Sequence, residues 1–128
     1  IIEDCYNASP ASMKAGLDVL RRKNGRKIAV LGDMLELGAY AGRLHRDMGA
    51  AVCGAADLLF TIGSAAEQIA EGAAARGMPR ERIRVFPADG HEAAAQALRE
   101  IVRPGDSLLF KASNRMNLKK VIERMGIS

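Results

Sequence analysis

Short apolar runs alternate with amphipathic stretches along the whole chain, and this alternation predicts its secondary structure. Five apolar runs have the length of buried strands: Ile1–Asp4, Lys27–Leu31, Leu58–Ile62, Ile83–Phe86 and Ser107–Phe110. Between them apolar residues recur at helical spacing, as at Met13, Leu17 and Leu20. Strands that alternate with helices are typical of a parallel sheet covered by helices. We therefore predict a three-layer α/β fold with a mostly parallel sheet of five to six strands and helices on both faces.

Three of the predicted helices carry a capping signal at their first turn. Ser9 is a favourable N-cap, and Pro10 suits the first helical position. Ser64 and Glu67 have the spacing of a capping box, in which each side chain satisfies a free backbone amide. Asp89 precedes the fourth helix in the same way. These residues predict where the helices begin.

Composition indicates an ordinary globular domain. The chain has 128 residues, of which 48% are hydrophobic and 27% charged, and this length suits one domain. The net charge of +4 is dispersed, so we expect a solvated surface and no nucleic-acid partner. No apolar run approaches the roughly 20 residues that cross a membrane, so we expect no membrane partner. Cys5 and Cys53 match no disulfide or zinc pattern, which favours the reducing cytoplasm.

Polar side chains follow the carboxyl ends of the predicted strands. They are Asp4, Asn7, Asp33, Glu36, Thr61, Ser64, Asp89, His91, Lys111 and Ser113. Parallel strands end at one edge of the sheet, where ligands of open α/β folds bind. Carboxylates, hydroxyls and a lysine suit a phosphorylated or amino-acid ligand. The residues also permit two structural roles: Asp33 as a loop cap, and Glu36 with Lys111 as a salt bridge.

The sequence contains no motif for chemistry of its own. A G-x-x-x-x-G-K-[ST] loop, a G-x-G-x-x-G fingerprint and a G-x-S-x-G elbow are all missing. Of the two histidines, His45 precedes the inward residues of its helix and is interpreted as a structural or surface residue rather than a catalytic one. We predict a binding domain with no catalytic or metal-ligating residue.

Three stretches of the chain resemble one family. Asp4–Met13 reads DCYNASPASM, Leu31–Gly38 reads LGDMLELG and is followed by His45, and Phe110–Ser113 reads FKAS. In this order they resemble the motifs of the C-terminal domain of MurF-type Mur ligases, and the resemblance covers nearly the whole chain. The chain also begins inside a predicted strand and without methionine. We therefore expect residues 1–128 to be a single domain cut from a three-domain enzyme.

The resemblance implies a Rossmann-like domain of a cytoplasmic ligase in peptidoglycan synthesis. Such ligases use ATP and magnesium to activate the carboxylate of UDP-N-acetylmuramoyl-tripeptide as an acyl phosphate. The amine of D-alanyl-D-alanine then attacks this intermediate. The N-terminal domain binds the UDP-sugar precursor, and the central domain holds most of the ATP and magnesium site. The C-terminal domain closes over the central one, so we expect it to be inactive alone.

The resemblance also implies roles for individual residues. By motif position, Asp4 and Asn7 are expected to contact the nucleotide. The expected substrate contacts are Asp33, Glu36, Thr61, Ser64, Lys111, Ser113 and Asn117.

Two other function classes fit parts of the sequence. Asp4, Asp33, Thr61 and Lys111 superficially match a phosphoacceptor receiver, although Asp33 follows the second predicted strand and a receiver carries its acceptor after the third. A stand-alone nucleotide-sensing module would also place polar groups at one edge of a sheet.

Overall fold

The computed structural model describes residues 2–4, 8–113 and 116–126, for residues 3 and 4 the backbone only. The strands are β1 Ile2–Asp4, β2 Lys27–Gly32, β3 Leu58–Ile62, β4 Ile83–Phe86 and β5 Ser107–Lys111. The helices are α1 Pro10–Arg21, α2 Ala41–Cys53, α3 Glu67–Ala75, α4 His91–Ile101 and α5 Lys119–Met125. Short 3₁₀ turns span Gly38–Tyr40 and Arg80–Arg82. Every helix in the described part of the chain is too short or too polar to cross a membrane.

The strands form one parallel sheet in the order β1-β5-β2-β3-β4. The last strand therefore lies between the first two. In the register, Leu31 pairs with Lys111 on one side and with Thr61 on the other, while Asp4 pairs with Lys111. The predicted α/β class, with a parallel sheet and helices, is confirmed.

Helices cover both faces of the sheet. Helices α1, α2 and α3 bury Leu17, Met48 and Ile69 on one face, and α4 and α5 bury Leu98 and Val121 on the other. The chain thus leaves the adjacent strands β2 and β5 towards opposite faces. Such divergence opens a crevice at the carboxyl ends of the two strands.

Of the three helix caps predicted from the sequence, one is confirmed and two are wrong. At α1 the capping box is confirmed: the amide of Ser12 donates to Ser9 Oγ at 3.1 Å, and the amide of Ser9 donates to Ser12 Oγ at 2.9 Å. The capping box predicted from Ser64 is wrong, because α3 begins without a cap from its own segment. The Asp89 cap is also wrong, since Gly90 occupies the N-cap of α4 and no side chain caps it.

One ion pair joins three segments at the amino edge of the sheet. Arg26 donates twice to the Asp106 carboxylate, at 2.7 and 3.2 Å, and once to the Ile101 carbonyl at 2.5 Å. The Arg103 amide donates to the same carboxylate at 2.9 Å. The hydrogen bond from Arg26 holds the pKa of Asp106 below its ordinary value. The pair therefore stabilises the fold whenever Asp106 is ionised.

Asp106→Asn should lower the free energy of unfolding by about 2–3 kcal/mol at pH 7, because it removes a buried charge from its partners. A depressed pKa stabilises the folded state above the unfolded pKa of about 4 and loses that effect as the pH falls through the folded value. Urea unfolding of the wild type and the variant at pH 7 and at pH values below 4 measures the loss of stability and its dependence on pH. Equal stability of the two proteins at pH 7 would contradict this role.

Helices α2 and α3 meet backbone to backbone at two glycines. A Cβ on Gly49 would lie 2.3 Å from the Ala73 amide nitrogen, and one on Gly72 would lie 2.0 Å from the Arg46 carbonyl oxygen. No side chain fits at such distances without a shift of the helices. The glycines therefore set the spacing between α2 and α3.

Alanine substitutions at two glycines of α2 should change the free energy of unfolding in opposite directions. Gly49→Ala should destabilise by about 1–3 kcal/mol, because the methyl group collides with α3. Gly42→Ala should stabilise by up to about 1 kcal/mol, because alanine favours the helix and nothing lies within 4 Å of the new Cβ. Thermal unfolding of both variants tests the pair. A neutral Gly49→Ala would mean that the two helices are not held in contact.

Candidate functional site

Residues 33–37, here called the acidic loop, follow β2 at the edge of the sheet where the topology predicts a crevice. Ser113, just after β5, ties this loop to the last strand. Its amide donates to the Asp33 carbonyl at 3.0 Å, and its Oγ accepts from the Leu35 amide at 2.8 Å. The two predicted substrate segments are therefore in direct contact.

Asp33 lies buried at the base of the acidic loop. Its Oδ1 accepts from the Ala66 amide at 2.6 Å, in the turn that leads into α3. A Cβ on Gly63 would lie 2.3 Å from the same oxygen, so only glycine leaves room for the carboxylate. The Asp33 carboxylate thus satisfies a free amide and places a negative charge at the positive end of α3. It therefore holds the turn before α3, in a different segment from its own loop.

His45 supports the acidic loop from α2. Its Nε2 accepts from the Met34 amide at 2.9 Å, and its Nδ1 donates to the Ala41 carbonyl at 2.6 Å. The imidazole is fully buried. The structural interpretation of this residue is confirmed.

Glu36 projects from the tip of the acidic loop. It is exposed and has φ +62°, a left-handed conformation that is uncommon for residues other than glycine. The neighbouring amides of Met34 and Leu35 are held by His45 and Ser113, so the loop has little freedom to relax this conformation.

Two predicted substrate residues are buried under the helices. Thr61 is 0% exposed and Lys111 is 1% exposed, and they flank Leu31 in the register of the sheet. Thr61 Oγ1 finds no hydrogen-bond partner among the described residues. In this conformation neither side chain reaches solvent, so a direct contact with substrate stays a prediction.

The remaining predicted residues lie around the crevice or outside the described part. Ser64 and Asn117 are exposed, and Asn117 has φ +53°. His91 bonds the Met116 carbonyl through Nε2 at 2.5 Å and so holds the turn before Asn117. The backbone of Asp4 lies beside Lys111, while its side chain and all of Asn7 fall outside the described residues.

The backbone partners of the site could not be predicted from side-chain patterns. The Ala66 amide and Gly63, which receive the Asp33 carboxylate, carry no side-chain signal. The position of Gly63 directly after a strand was the one available indication, because strand-end glycines often admit a close approach.

The chain is similar over residues 1–114 to the family described as Mur ligase, glutamate ligase domain. It is 40% identical over 126 residues to the UDP-N-acetylmuramoyl-tripeptide–D-alanyl-D-alanine ligase of Bacillus subtilis, covering 96% of this chain and 27% of that protein. The ligase of the same name from Synechocystis is 37% identical, with 98% and 27% covered. The chain thus spans about a quarter of the length of these curated relatives.

Solved structures show the same similarity. The MurF ligase of Thermotoga maritima in complex with ADP has a TM-score of 0.78 at 30% identity, covering 94% of this chain and 26% of that one. A MurF structure from Acinetobacter baumannii has a TM-score of 0.78 at 29% identity, with 96% and 27% covered.

Thr61→Val should raise the free energy of unfolding by about 1 kcal/mol, because it replaces a buried hydroxyl without a described partner by a methyl group. Ser113→Ala should lower it by about 1–2 kcal/mol, because the Leu35 amide loses its acceptor. Denaturant unfolding of the two variants compares them directly. A Thr61→Val protein less stable than the wild type would show that the hydroxyl is hydrogen-bonded.

Proposed function

The chain belongs to the Mur ligase, glutamate ligase domain family, and from that premise we propose that it is the C-terminal domain of a MurF-type ligase. The complete enzyme joins D-alanyl-D-alanine to UDP-N-acetylmuramoyl-tripeptide with ATP, in the cytoplasm, for peptidoglycan synthesis. The observation that carries this proposal is the 40% identity along 96% of the chain to a relative whose name states that reaction. The missing phosphate-binding loop fits the proposal, because an ATPase domain elsewhere in the protein would supply it.

The proposed contribution of this domain is to position the reacting groups and to exclude water from them. Closure over an ATPase domain would bring the crevice between β2 and β5 against the reacting groups and hold the amine near the activated carboxylate. In the described part of the chain, no group of three carboxylates, histidines or cysteines is placed to hold a metal. These residues do not fit a magnesium site, so we assign none to them.

The proposed dipeptide contacts are the expected site residues that reach the surface. Glu36 offers a carboxylate to its ammonium group, and Ser64 and Asn117 offer hydrogen bonds to its amide and carboxylate. Asp33 and Ser113 act through the backbone that they hold. Asp4 and Asn7, by their position in the family motif, are proposed to contact the ribose or phosphates of ATP.

The receiver alternative loses support from the topology. Receivers share the doubly wound order 2-1-3-4-5, in which the first strand is internal. Here β1 lies at the edge of the described sheet and β5 is internal.

The direct test is an ADP-release assay with the full-length protein. We expect release that requires both UDP-N-acetylmuramoyl-tripeptide and D-alanyl-D-alanine. Release that is independent of the dipeptide, or that requires a single amino acid in its place, would overturn the proposed reaction.

In the full-length ligase, Glu36→Gln should raise the KM for D-alanyl-D-alanine about tenfold, because a charge-assisted bond to the ammonium group is lost. The KM for ATP should stay unchanged. Glu81→Gln is the matched control, because Glu81 is also exposed but lies in the turn before β4, at the other edge of the sheet. An equal effect of the two variants would contradict the role of Glu36.

In the same enzyme, Asp4→Ala and Asn7→Ala should impair the use of ATP and leave the binding of the dipeptide unchanged. Each should raise the KM for ATP or lower kcat, because a hydrogen bond to the nucleotide is lost, and leave the KM for the dipeptide unchanged. Steady-state kinetics with each substrate varied in turn measures this. Unchanged constants for both variants would refute the nucleotide role.

A further inference from the structure

Two successive backbone amides of the acidic loop are held by side chains from different layers of the fold. The Met34 amide donates to His45 Nε2 from α2, and the Leu35 amide donates to Ser113 Oγ after β5. Met34 is itself 2% exposed, so its amide lies away from water. A buried amide without a partner costs about 1–3 kcal/mol, so each of these acceptors stabilises one loop conformation.

The partners of His45 determine its tautomer. The Met34 amide is a donor and needs an unprotonated Nε2, while the Ala41 carbonyl is an acceptor and needs a proton on Nδ1. The neutral Nδ1–H form is therefore the one form that satisfies both. The bond to Ala41, one turn earlier in the same helix, orients the ring so that the Nε2 lone pair faces the loop.

The constraint at Met34 and Leu35 extends to the next residue. Glu36 stands at φ +62°, a conformation that an unrestrained glutamate leaves readily. The Asp33 carboxylate anchors the other end of the loop on the Ala66 amide. Glu36 is thus the exposed end of a segment whose preceding three residues are each fixed by a hydrogen bond.

We propose that His45 is a positioning residue for the ligase reaction, which holds the acidic loop so that Glu36 stands ready for the incoming dipeptide. This inference rests on the proposed function. His45 touches no substrate, because its ring is fully buried beneath the loop. It acts through the Met34 amide alone.

Loss of this bond has a specific kinetic consequence. Without it the loop populates other conformations, and the dipeptide binds only the fraction of molecules that hold Glu36 in place. The apparent affinity falls by that fraction, while the geometry is restored once the dipeptide is bound. The KM for the dipeptide therefore rises more than kcat falls, and the ATP site is untouched.

The test uses the full-length ligase with two substitutions at one position. His45→Leu fills the cavity but offers no acceptor, and we expect its KM for D-alanyl-D-alanine to rise about five- to tenfold with little change for ATP. His45→Gln places Oε1 near the former Nε2, and we expect it to recover most of the loss. If His45→Leu does not fold, His45→Asn replaces it, because its shorter amide stops short of Met34.

A destabilised control variant distinguishes an effect on the position of the loop from a general loss of stability. Asp106→Asn weakens the fold at the amino edge of the sheet, far along the strands from the acidic loop, and should leave both KM values unchanged. Hydrogen exchange adds a readout that needs no activity: in His45→Leu the Met34 amide should exchange faster, while the amides of β2 keep their protection.

The outcomes are distinguishable. A folded His45→Leu enzyme with an unchanged KM, a rise in KM for both substrates alike, or a His45→Gln variant no better than His45→Leu would each overturn the inference. A wild-type enzyme without dipeptide-dependent ADP release would overturn the proposed function instead. In that case hydrogen exchange still tests the inference. If the Met34 amide exchanges as slowly in His45→Leu as in the wild type, His45 does not fix the loop.

Discussion

The insertion of β5 between β1 and β2 is the constraint on which the site depends. It places the ends of the first, second and last strands side by side, although they lie far apart in the sequence. Because the chain leaves β2 and β5 towards opposite faces, this edge is the switch point at which ligands of open α/β folds bind. The hydrogen bonds of Ser113 to Asp33 and Leu35 exist only because of this neighbourhood.

Buried polar groups concentrate near this edge of the sheet, and their bonds make it stiff. Asp33 and His45 are each buried, and each has a backbone partner on another segment. Burial strengthens such bonds and also raises the cost of breaking them. The acidic loop is therefore held in one conformation without regular secondary structure. A domain whose proposed task is to present groups to a second domain benefits from such a loop, because little ordering remains to be done on binding.

The motifs that identify the family have two kinds of members here. Glu36 is exposed at the surface, whereas Asp33 and His45 are turned inward and hold backbone amides. A motif shared with an enzyme family therefore does not assign every one of its residues to the substrate. In this chain, burial and hydrogen-bond partners separate the residues that face the crevice from those that support it.

The sequence by itself determined the α/β class, the order of elements and the capping box at Ser9, because these follow from local periodicity and from contacts between near neighbours in the chain. It also identified Asp33, Glu36 and Ser113 as strand-end residues. Only the tertiary structure decided that β5 lies between β1 and β2, that Asp33 holds the turn before α3, and that Thr61 and Lys111 are buried. These features depend on which distant segments meet, and local pattern carries no information about that.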